Sequence, residues 1–291
     1  MPRKAPAPGV GESGMKTPDI QKLVNIVGEG NASVNPADCY VYGGDSSVHR
    51  APATAVVRVK GTEEIQALMR YANAEKIPVI TRGGGSGMSG QVVPISGGIV
   101  LDMKQMNRIL EINLEDVYVR VEPGVVDDDL NRALKPYGMF YPPTPASSRI
   151  ATIGGEIANN ASGTRSVKYG ATRDSVLGMK VVLANGDLVT MGSRMRVEAS
   201  GYQLDRLMVG SEGTLGIIVE ATLGFVPIPK FRCMGVACYN RLEDAGASIA
   251  QIIATGCQPS VLELVDNVAI TAANASLDLG LPDVEAMLLF E

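Results

Sequence analysis

The sequence predicts a mixed helix-and-strand protein built as two domains, or one and a half. Three observations lead there. The chain has 291 residues, and a domain usually takes roughly 100–200. Segments with a helical apolar period and segments with strand-like alternation follow each other along its whole length. Apolar residues make up 45% of it and charged residues 20%, close to a globular average, which excludes a disordered chain and leaves ample material for a core.

The elements read as follows. Thr17 and Pro18, ahead of the segment 19–28, form an N-cap and a proline at the first helical position. Thr62 reads as the N-cap of a second helix, with Glu63 and Glu64 where the helix dipole favours them and Ile65, Leu68, Met69 and Ala72 on one face. PVIT (78–81) and GGIVLDM (97–103) read as strands on either side of a glycine-rich loop. Val117, Val119 and Val121 alternate with Tyr118, Arg120 and Glu122 as a half-buried strand. Residues 125–138 form a short helix closed by Pro136 and Gly138. Residues 179–191 predict a hairpin with Asn185-Gly186 as a type I′ turn, and 213–229 one long strand ended by prolines. From Lys230 on, a strand (MGVACY), a helix (LEDAGASIAQIIATG), a strand (VLELVD) and a terminal apolar run (AMLLFE) follow.

A net charge of −5 argues against nucleic acid or an anionic membrane surface as partner. The opening MPRKAPAPGVGESG has no apolar run behind it and does not read as a signal peptide, and no stretch approaches the ~20 apolar residues of a membrane helix. A cytoplasmic location is the expectation. Cys39, Cys233, Cys238 and Cys257 show neither a CxxC nor a zinc spacing and read as reduced thiols. Cys233 and Cys238 are expected on opposite faces of one strand. His49 is the single histidine, which excludes a metal site or triad needing two within the chain.

Glycine and proline are in excess, 33 and 17, and three segments concentrate the glycines. The first is Gly83, Gly84, Gly85, Ser86, Gly87, Met88, Ser89, Gly90 and Gln91. Gly85 to Gly90 match G-x-G-x-x-G, but the dinucleotide fingerprint must open a helix, and the following QVVPISGG cannot. What remains is a loop whose glycines converge backbone N–H groups on an anion and let phosphate oxygens reach the main chain. A tight crossover between two strands is the plainer alternative. In the second segment Pro142, Pro143 and Pro145 fix an extended arm, and Gly154-Gly155 precede a short helix, a place for a phosphate, a ring carbonyl or simply close packing. In the third, Gly213 and Gly216 read as strand glycines approached by a second backbone or a planar ring; alone they would mark a bulged strand.

The motifs TRGGGSGMSG (81–90), VEPGV (121–125), YPPTPASS (141–148), ATIGGEIANNASG (151–163), KYGATRD (168–174) and GSEGTLGII (210–218), in this order, resemble the vanillyl-alcohol oxidase and p-cresol methylhydroxylase superfamily, in its glycolate oxidase flavoprotein subunit and D-lactate dehydrogenase branch. The resemblance is dense over roughly residues 40 to 229. It implies an α+β fold: a two-lobed PCMH-type FAD-binding domain, with a small βαβ lobe against a larger mixed sheet, followed by an incomplete α+β cap domain. The division it implies is an N-terminal tail and helix at 1–48, the FAD-binding domain at 49–228 and the start of the FAD-linked oxidase cap at 229–291. It also implies site residues. Gly83 to Gln91 would wrap the pyrophosphate. Thr152, Gly154 and Gly155, with Ala161, Ser162 and Gly163, would line the diphosphate and isoalloxazine. Pro145 and Ser147 would border the ring, and Glu212, Gly213 and Ile218 would sit on the adenine or ribose side.

Three departures stand out. Thr144 replaces the family's usual Asp. Glu156 replaces a smaller polar residue and would repel a diphosphate unless it faces solvent or pairs with a basic side chain. The glycine loop has no histidine for covalent attachment, so dissociable, non-covalent FAD is expected. Relatives also continue beyond the VLELVD-like strand with the histidine-bearing substrate site, which has no counterpart here, so LLFE is expected as a strand without continuation at an open edge.

The reaction implied is oxidation of a small D-2-hydroxy acid by hydride transfer to flavin N5. His49 reads as a solvated loop residue, Arg82, Arg165, Lys168 and Arg173 as carboxylate-steering candidates or phosphate neighbours, and no catalytic residue is assigned. Three functions fit: a 2-hydroxy-acid dehydrogenase completed by a second chain, an electron-relay flavin subunit without a substrate site, or an inert fragment with an exposed apolar edge. The redox partner would be an electron-transfer flavoprotein, an iron–sulfur subunit or a quinone.

Overall fold

A computed structural model describes residues 17–291. The opening tail, and its reading as no signal peptide, lie outside the described residues.

The first lobe holds α1 (Ile20–Val27), β1 (Ala32–Ser33), α2 (Pro36–Val41), β2 (Ala55–Arg58), α3 (Thr62–Glu75), β3 (Val79–Arg82) and β4 (Ile99–Asp102). The sheet order is β1-β2-β4-β3; β2 and β3 both pair with β4 in parallel, and β1 is antiparallel to β2. A parallel sheet needs crossovers, and α3, between β2 and β3, supplies one. Ile65, Leu68 and Ala72 of α3 are fully or almost fully buried against Leu23, Val57, Ile99 and Leu101, as the helical period predicts. The caps differ from the sequence reading. Asp19, not Thr17, caps α1, its carboxylate accepting from the Gln21 and Lys22 N–H groups. Thr62 is the first helical residue of α3, and extended Gly61 is its N-cap.

The second lobe runs β5 (Ile109–Asn113), β6 (Tyr118–Val121), α4 (Asp127–Leu134), β7 (Met139–Phe140), α5 (Ile153–Asn159), α6 (Ser166–Tyr169), α7 (Thr172–Ser175), β8 (Val176–Val182), β9 (Leu188–Gly192), α8 (Leu204–Met208), β10 (Ile217–Gly224) and β11 (Val226–Pro227). Its five-stranded sheet, β5-β6-β10-β8-β9, is antiparallel throughout. One face packs α4 and α5 through Val119, Val121, Leu130, Leu134, Ile153 and Ile157. The other carries a charge ladder in which Arg120 bridges Glu111 and Glu220, and Lys180 also reaches Glu220. Val182, Ile217 and Val219 belong to the first lobe's core, so the two lobes share apolar packing.

Two strand expectations need correction. The long strand expected at 213–229 is β10 alone plus the short β11, because Gly213 lies in a turn at φ 76 and the strand begins at Ile217. The hairpin of β8 and β9 forms, but not with a type I′ turn. Leu183 N–H donates to the Asp187 carbonyl, and only Gly186 of the loop takes a positive φ. Asn185 keeps a negative φ because its side chain is tied to Asp187, accepting from the backbone N–H at 3.0 Å and donating to the carboxylate at 2.6 Å.

The C-terminal segment is a small α+β unit: β12 (Gly235–Tyr239), α9 (Leu242–Ala254), β13 (Leu262–Asp266), α10 (Asn267–Leu277) and β14 (Ala286–Phe290). The order is β12-β14-β13, antiparallel. The terminal apolar run is therefore not an open edge; it is the central strand, with Ala286, Met287 and Leu288 buried. Its apolar composition reflects that position, since a middle strand is covered on both sides. Cys233 precedes β12, so the two-face argument does not apply to it; Cys233 and Cys238 are both exposed. Among the described residues no helix is long and apolar enough to cross a membrane.

Candidate functional site

The chain leaves β3 at Arg82 and enters the glycine loop at the C-terminal end of the parallel strands, the end where open parallel sheets bind ligands. No helix follows the loop, so the rejection of the dinucleotide fingerprint on context agrees with the structure. The segment around residue 45 braces the loop from behind. Arg82 Nη1 donates to the Gly44 carbonyl at 2.6 Å, the Asp45 carboxylate accepts from Gly90 N–H at 3.0 Å, and Ser46 N–H donates to the Gly87 carbonyl at 3.0 Å.

The facing wall is the first turn of α5. The loop and this wall approach so closely that a Cβ on Gly84 would lie 1.9 Å from the Ile150 carbonyl oxygen, a backbone atom that cannot swing aside. Gly85 takes φ 66, a conformation that other residues rarely adopt. Between loop and wall lies a cleft enclosing about 1080 Å³ of empty space, its open mouth included.

The cleft gathers most of the residues predicted from sequence. Gly83, Gly84, Gly85, Ser86, Gly87 and Gln91 line it from the loop, and Pro145 and Ser147 from the arm. Thr152, Gly154, Gly155 and Ala161 line it from the α5 region, and Glu212, Gly213 and Ile218 from the turn before β10 and the strand itself. Five predicted residues are not brought to the wall. Met88 and Ser89 point outward at the loop tip, Met88 being 79% exposed. Gly90 turns toward His49, whose ring a Cβ there would meet at 3.2 Å. Ser162 is exposed, and Gly163 packs on the Thr144 carbonyl. Gly154 and Gly155 lie inside the first turn of α5 rather than before it. Sequence reasoning gave no role to Met103 and Pro123, which also line the cleft. Met103 follows β4, and the rule that open parallel sheets bind ligands at the C-terminal ends of their strands is the signal that could have found it.

The lining fits a cofactor rich in hydrogen-bonding groups. Gln91 Oε1 and Thr152 Oγ1 are buried in the wall with no partner, and a buried polar atom left unpaired costs about 1–3 kcal/mol. Main-chain N–H groups of the glycine loop can take an anionic diphosphate without a basic side chain. Of the candidate steering cations, none lines the cleft. Arg82 is spent on Gly44, Arg165 stacks 5.2 Å from the Phe140 ring centre, and Lys168 sits 5.4 Å from that of Tyr169.

Glu156 overturns both conditions set for it from sequence. It neither faces solvent nor pairs with a base: it is 2% exposed, with both carboxyl oxygens unpartnered. It lies three residues after Ile153 on the side of α5 that packs against α4, where Asp127 faces it. Burial first, and the neighbouring Asp127 second, hold its carboxyl well above the usual range.

Comparison with known proteins gives the following. A family model described as "FAD binding domain" matches residues 53–192, and one described as "FAD linked oxidases, C-terminal domain" matches 228–291. The glycolate oxidase subunit GlcD of Bacillus subtilis is 39% identical over 280 residues, covering 95% of this chain and 60% of that protein. A D-lactate dehydrogenase of Anaerostipes hadrus is 38% identical over 245 residues, covering 84% of this chain and 50% of that protein. The crystal structure of p-cresol methylhydroxylase with substrate bound superposes with a TM-score of 0.76 at 21% identity, covering 93% of this chain and 59% of that one. The likeness in fold is therefore of the PCMH type, and the chain spans about half the length of the curated relatives it matches.

Proposed function

The chain belongs to the FAD-linked oxidases and takes FAD as its cofactor, and on that premise we propose that it is the flavin-carrying part of a dehydrogenase that oxidises a small D-2-hydroxy acid such as D-lactate or glycolate. One observation carries this: a single cleft is walled by the glycine loop, the proline arm, α5 and the turn before β10, and its lining residues include Thr152 and Gln91, each with a buried, unpartnered side-chain oxygen. In this reading residues 49–228 are the flavin domain and 229–291 begin the cap.

FAD when bound supplies the two-electron acceptor. The chain's own residues bind, orient and screen. Gly83 to Gly87 and Gln91 hold the diphosphate through main-chain N–H groups and one side-chain amide. Thr152, Gly154, Gly155 and Ala161 support the inner wall, the Thr152 hydroxyl donating into the cleft. Pro145 and Ser147 border the ring, and Pro142, Pro143 and Pro145, all buried, keep water off that side. Glu212, Gly213 and Ile218 stand on the adenine or ribose side. With no histidine in the glycine loop, the cofactor dissociates. No described residue is assigned as the base that takes the substrate hydroxyl proton, so that base comes with the remainder of the cap, and electrons pass on to an electron-transfer flavoprotein, an iron–sulfur subunit or a quinone in the cytoplasm. The names of the relatives support the substrate class.

The test is an anaerobic visible spectrum of the chain reconstituted with FAD, before and after D-lactate. A flavin band that stays until a cap-bearing partner is added is the expected result. Bleaching by the chain alone would overturn the need for a partner, and the absence of any flavin band would overturn the assignment of the cleft.

A further inference from the structure

From the α5 wall of the cleft, where Glu156 is among the lining residues, a group of polar side chains that the flavin reading does not use runs back into the interior. Glu156 of α5 and Asp127, the first residue of α4, are 2% and 0% exposed. Tyr141, where the arm begins, is 0% exposed. Among the described residues no well-aligned hydrogen-bond donor meets either Glu156 carboxyl oxygen, Asp127 Oδ2 or the Tyr141 hydroxyl; Glu156 and Asp127 nonetheless lie close enough to interact as a carboxyl pair, and Thr172 approaches the Tyr141 hydroxyl. Asp127 Oδ1 accepts from Asn131 Nδ2 at 2.8 Å, and Asn131 Oδ1 accepts from the Tyr141 N–H at 2.9 Å, which ties Asp127 to Tyr141 through Asn131; Glu156 joins them through its contact with Asp127. The surrounding groups do not neutralise it. Asp128 on α4 adds repulsion, and Arg165 ahead of α6 acts at a distance, its guanidinium stacked over Phe140. Thr172 of α7 gives its hydroxyl to the Ala161 carbonyl.

Two ionised carboxylates are acceptors only and cannot bond to each other. Two buried like charges without a cation are also untenable in a low-dielectric interior. One proton resolves both problems: Glu156 then donates to Asp127 Oδ2, and the Tyr141 hydroxyl can donate to the remaining Glu156 oxygen. We propose that Glu156 and Asp127 share a single proton across the α4–α5 contact, with Tyr141 completing the group, and that this proton holds the Thr152–Gly155 wall of the cleft in place.

The connection to the wall is short. Asp127 N–H donates to the Ala151 carbonyl at 3.1 Å, Ile153 N–H donates to the Val125 carbonyl at 2.8 Å, and Val126 pairs with Thr152 as an antiparallel bridge. The starts of α4 and α5 therefore move together. Burial raises both carboxyls, Asp127 to about 6 and Glu156 further above its ordinary range. A carboxyl raised in the folded state means that folding takes up a proton. The stability it contributes is whole below the ordinary carboxylate range near 4 and is lost as pH rises through about 6 and above.

The part concerning flavin retention rests on the FAD reading; the shared proton does not. The full chain is unfolded in denaturant from about pH 5 to about pH 9, with and without FAD, as wild type, Glu156→Gln and Asp127→Asn. The Gln or Asn amide donates where the proton sits, so each variant imitates the protonated pair at every pH. Expected for wild type is an unfolding constant that rises about tenfold per pH unit over part of that window, one proton's worth, with FAD affinity falling in parallel. Glu156→Gln should match wild type at the acid end and stay flat in both measurements. A wild type without slope, or an equal slope in both variants, overturns the shared proton. A slope removed by Glu156→Gln with wild-type FAD affinity constant across pH overturns the hold on the cleft. A chain that binds no flavin at any pH defeats the FAD reading, while the melts still decide the proton. Should both variants fail to fold, the infrared band of a protonated carboxyl in wild type at neutral pH decides instead: its presence supports the pair and its absence overturns it.

Discussion

Thr152 carries the argument at the scale of one residue. It is 2% exposed and its hydroxyl has no partner within the described protein, so removing the hydroxyl costs the protein alone nothing, while a ligand bonded to it would lose about 1 kcal/mol. Thr152→Val should leave the apoprotein as stable as wild type or slightly more so, and weaken FAD binding about fivefold to tenfold in a fluorescence titration. Equal FAD affinity would remove Thr152 from the cofactor site. Much at this scale was legible in sequence. A cluster of glycines in a short loop is costly without a reason, and close backbone approach at Gly84 is that reason. Glu156 was marked as anomalous from its type alone, but its resolution was not legible. Asp127 opens a run of three aspartates that reads as a solvated helix start, and nothing in the run says that the first of them is 0% exposed and faces Glu156.

At the scale of elements, strong periods were read correctly and caps were not. Helix α3 has its apolar face where the spacing puts it. Its end at Lys76 was legible too, but not the cap's conformation: Lys76 closes the helix in the left-handed region at φ 58, where a side chain is disfavoured. Lys76→Gly should therefore stabilise the protein by about 0.5–1 kcal/mol, read as a higher urea midpoint at unchanged slope. No gain would mean that the Lys76 side chain, 3.3 Å from Asn73 Oδ1, compensates the strain. Asp19 displaced Thr17 as the cap of α1, and the side-chain bonds of Asn185 displaced the expected hairpin turn. In each case a local polar contact between near neighbours decided the geometry, and propensity does not rank such contacts.

At the scale of the whole molecule, the two lobes are joined by apolar packing through Val182, Ile217 and Val219, while the C-terminal unit has no share in their cores. None of the three apolar core clusters includes a residue beyond Phe225. The buried apolar residues of the unit are Ala245, Ile270, Ala286, Met287 and Leu288. A core this small gives little local stability. Amides of β12, β13 and β14 should exchange with deuterium well before those of β8 and β10, and added FAD should slow exchange in the lobes without changing it in this unit. Equal protection throughout would show that the unit folds cooperatively with the rest.

The sequence by itself determined the chemistry: the cofactor class, through motifs whose glycines and prolines answer to main-chain geometry, and the succession of helices and strands, through periods that any register must obey. Tertiary structure alone decided which groups meet. It put the final strand in the middle of its sheet, turned Met88 and Gly90 away from the cleft they were expected to line, and set two carboxyls far apart in sequence against each other. Periodicity is a property of neighbours along the chain, whereas strand order and the pairing of buried charges are settled by burial, which only the folded chain has.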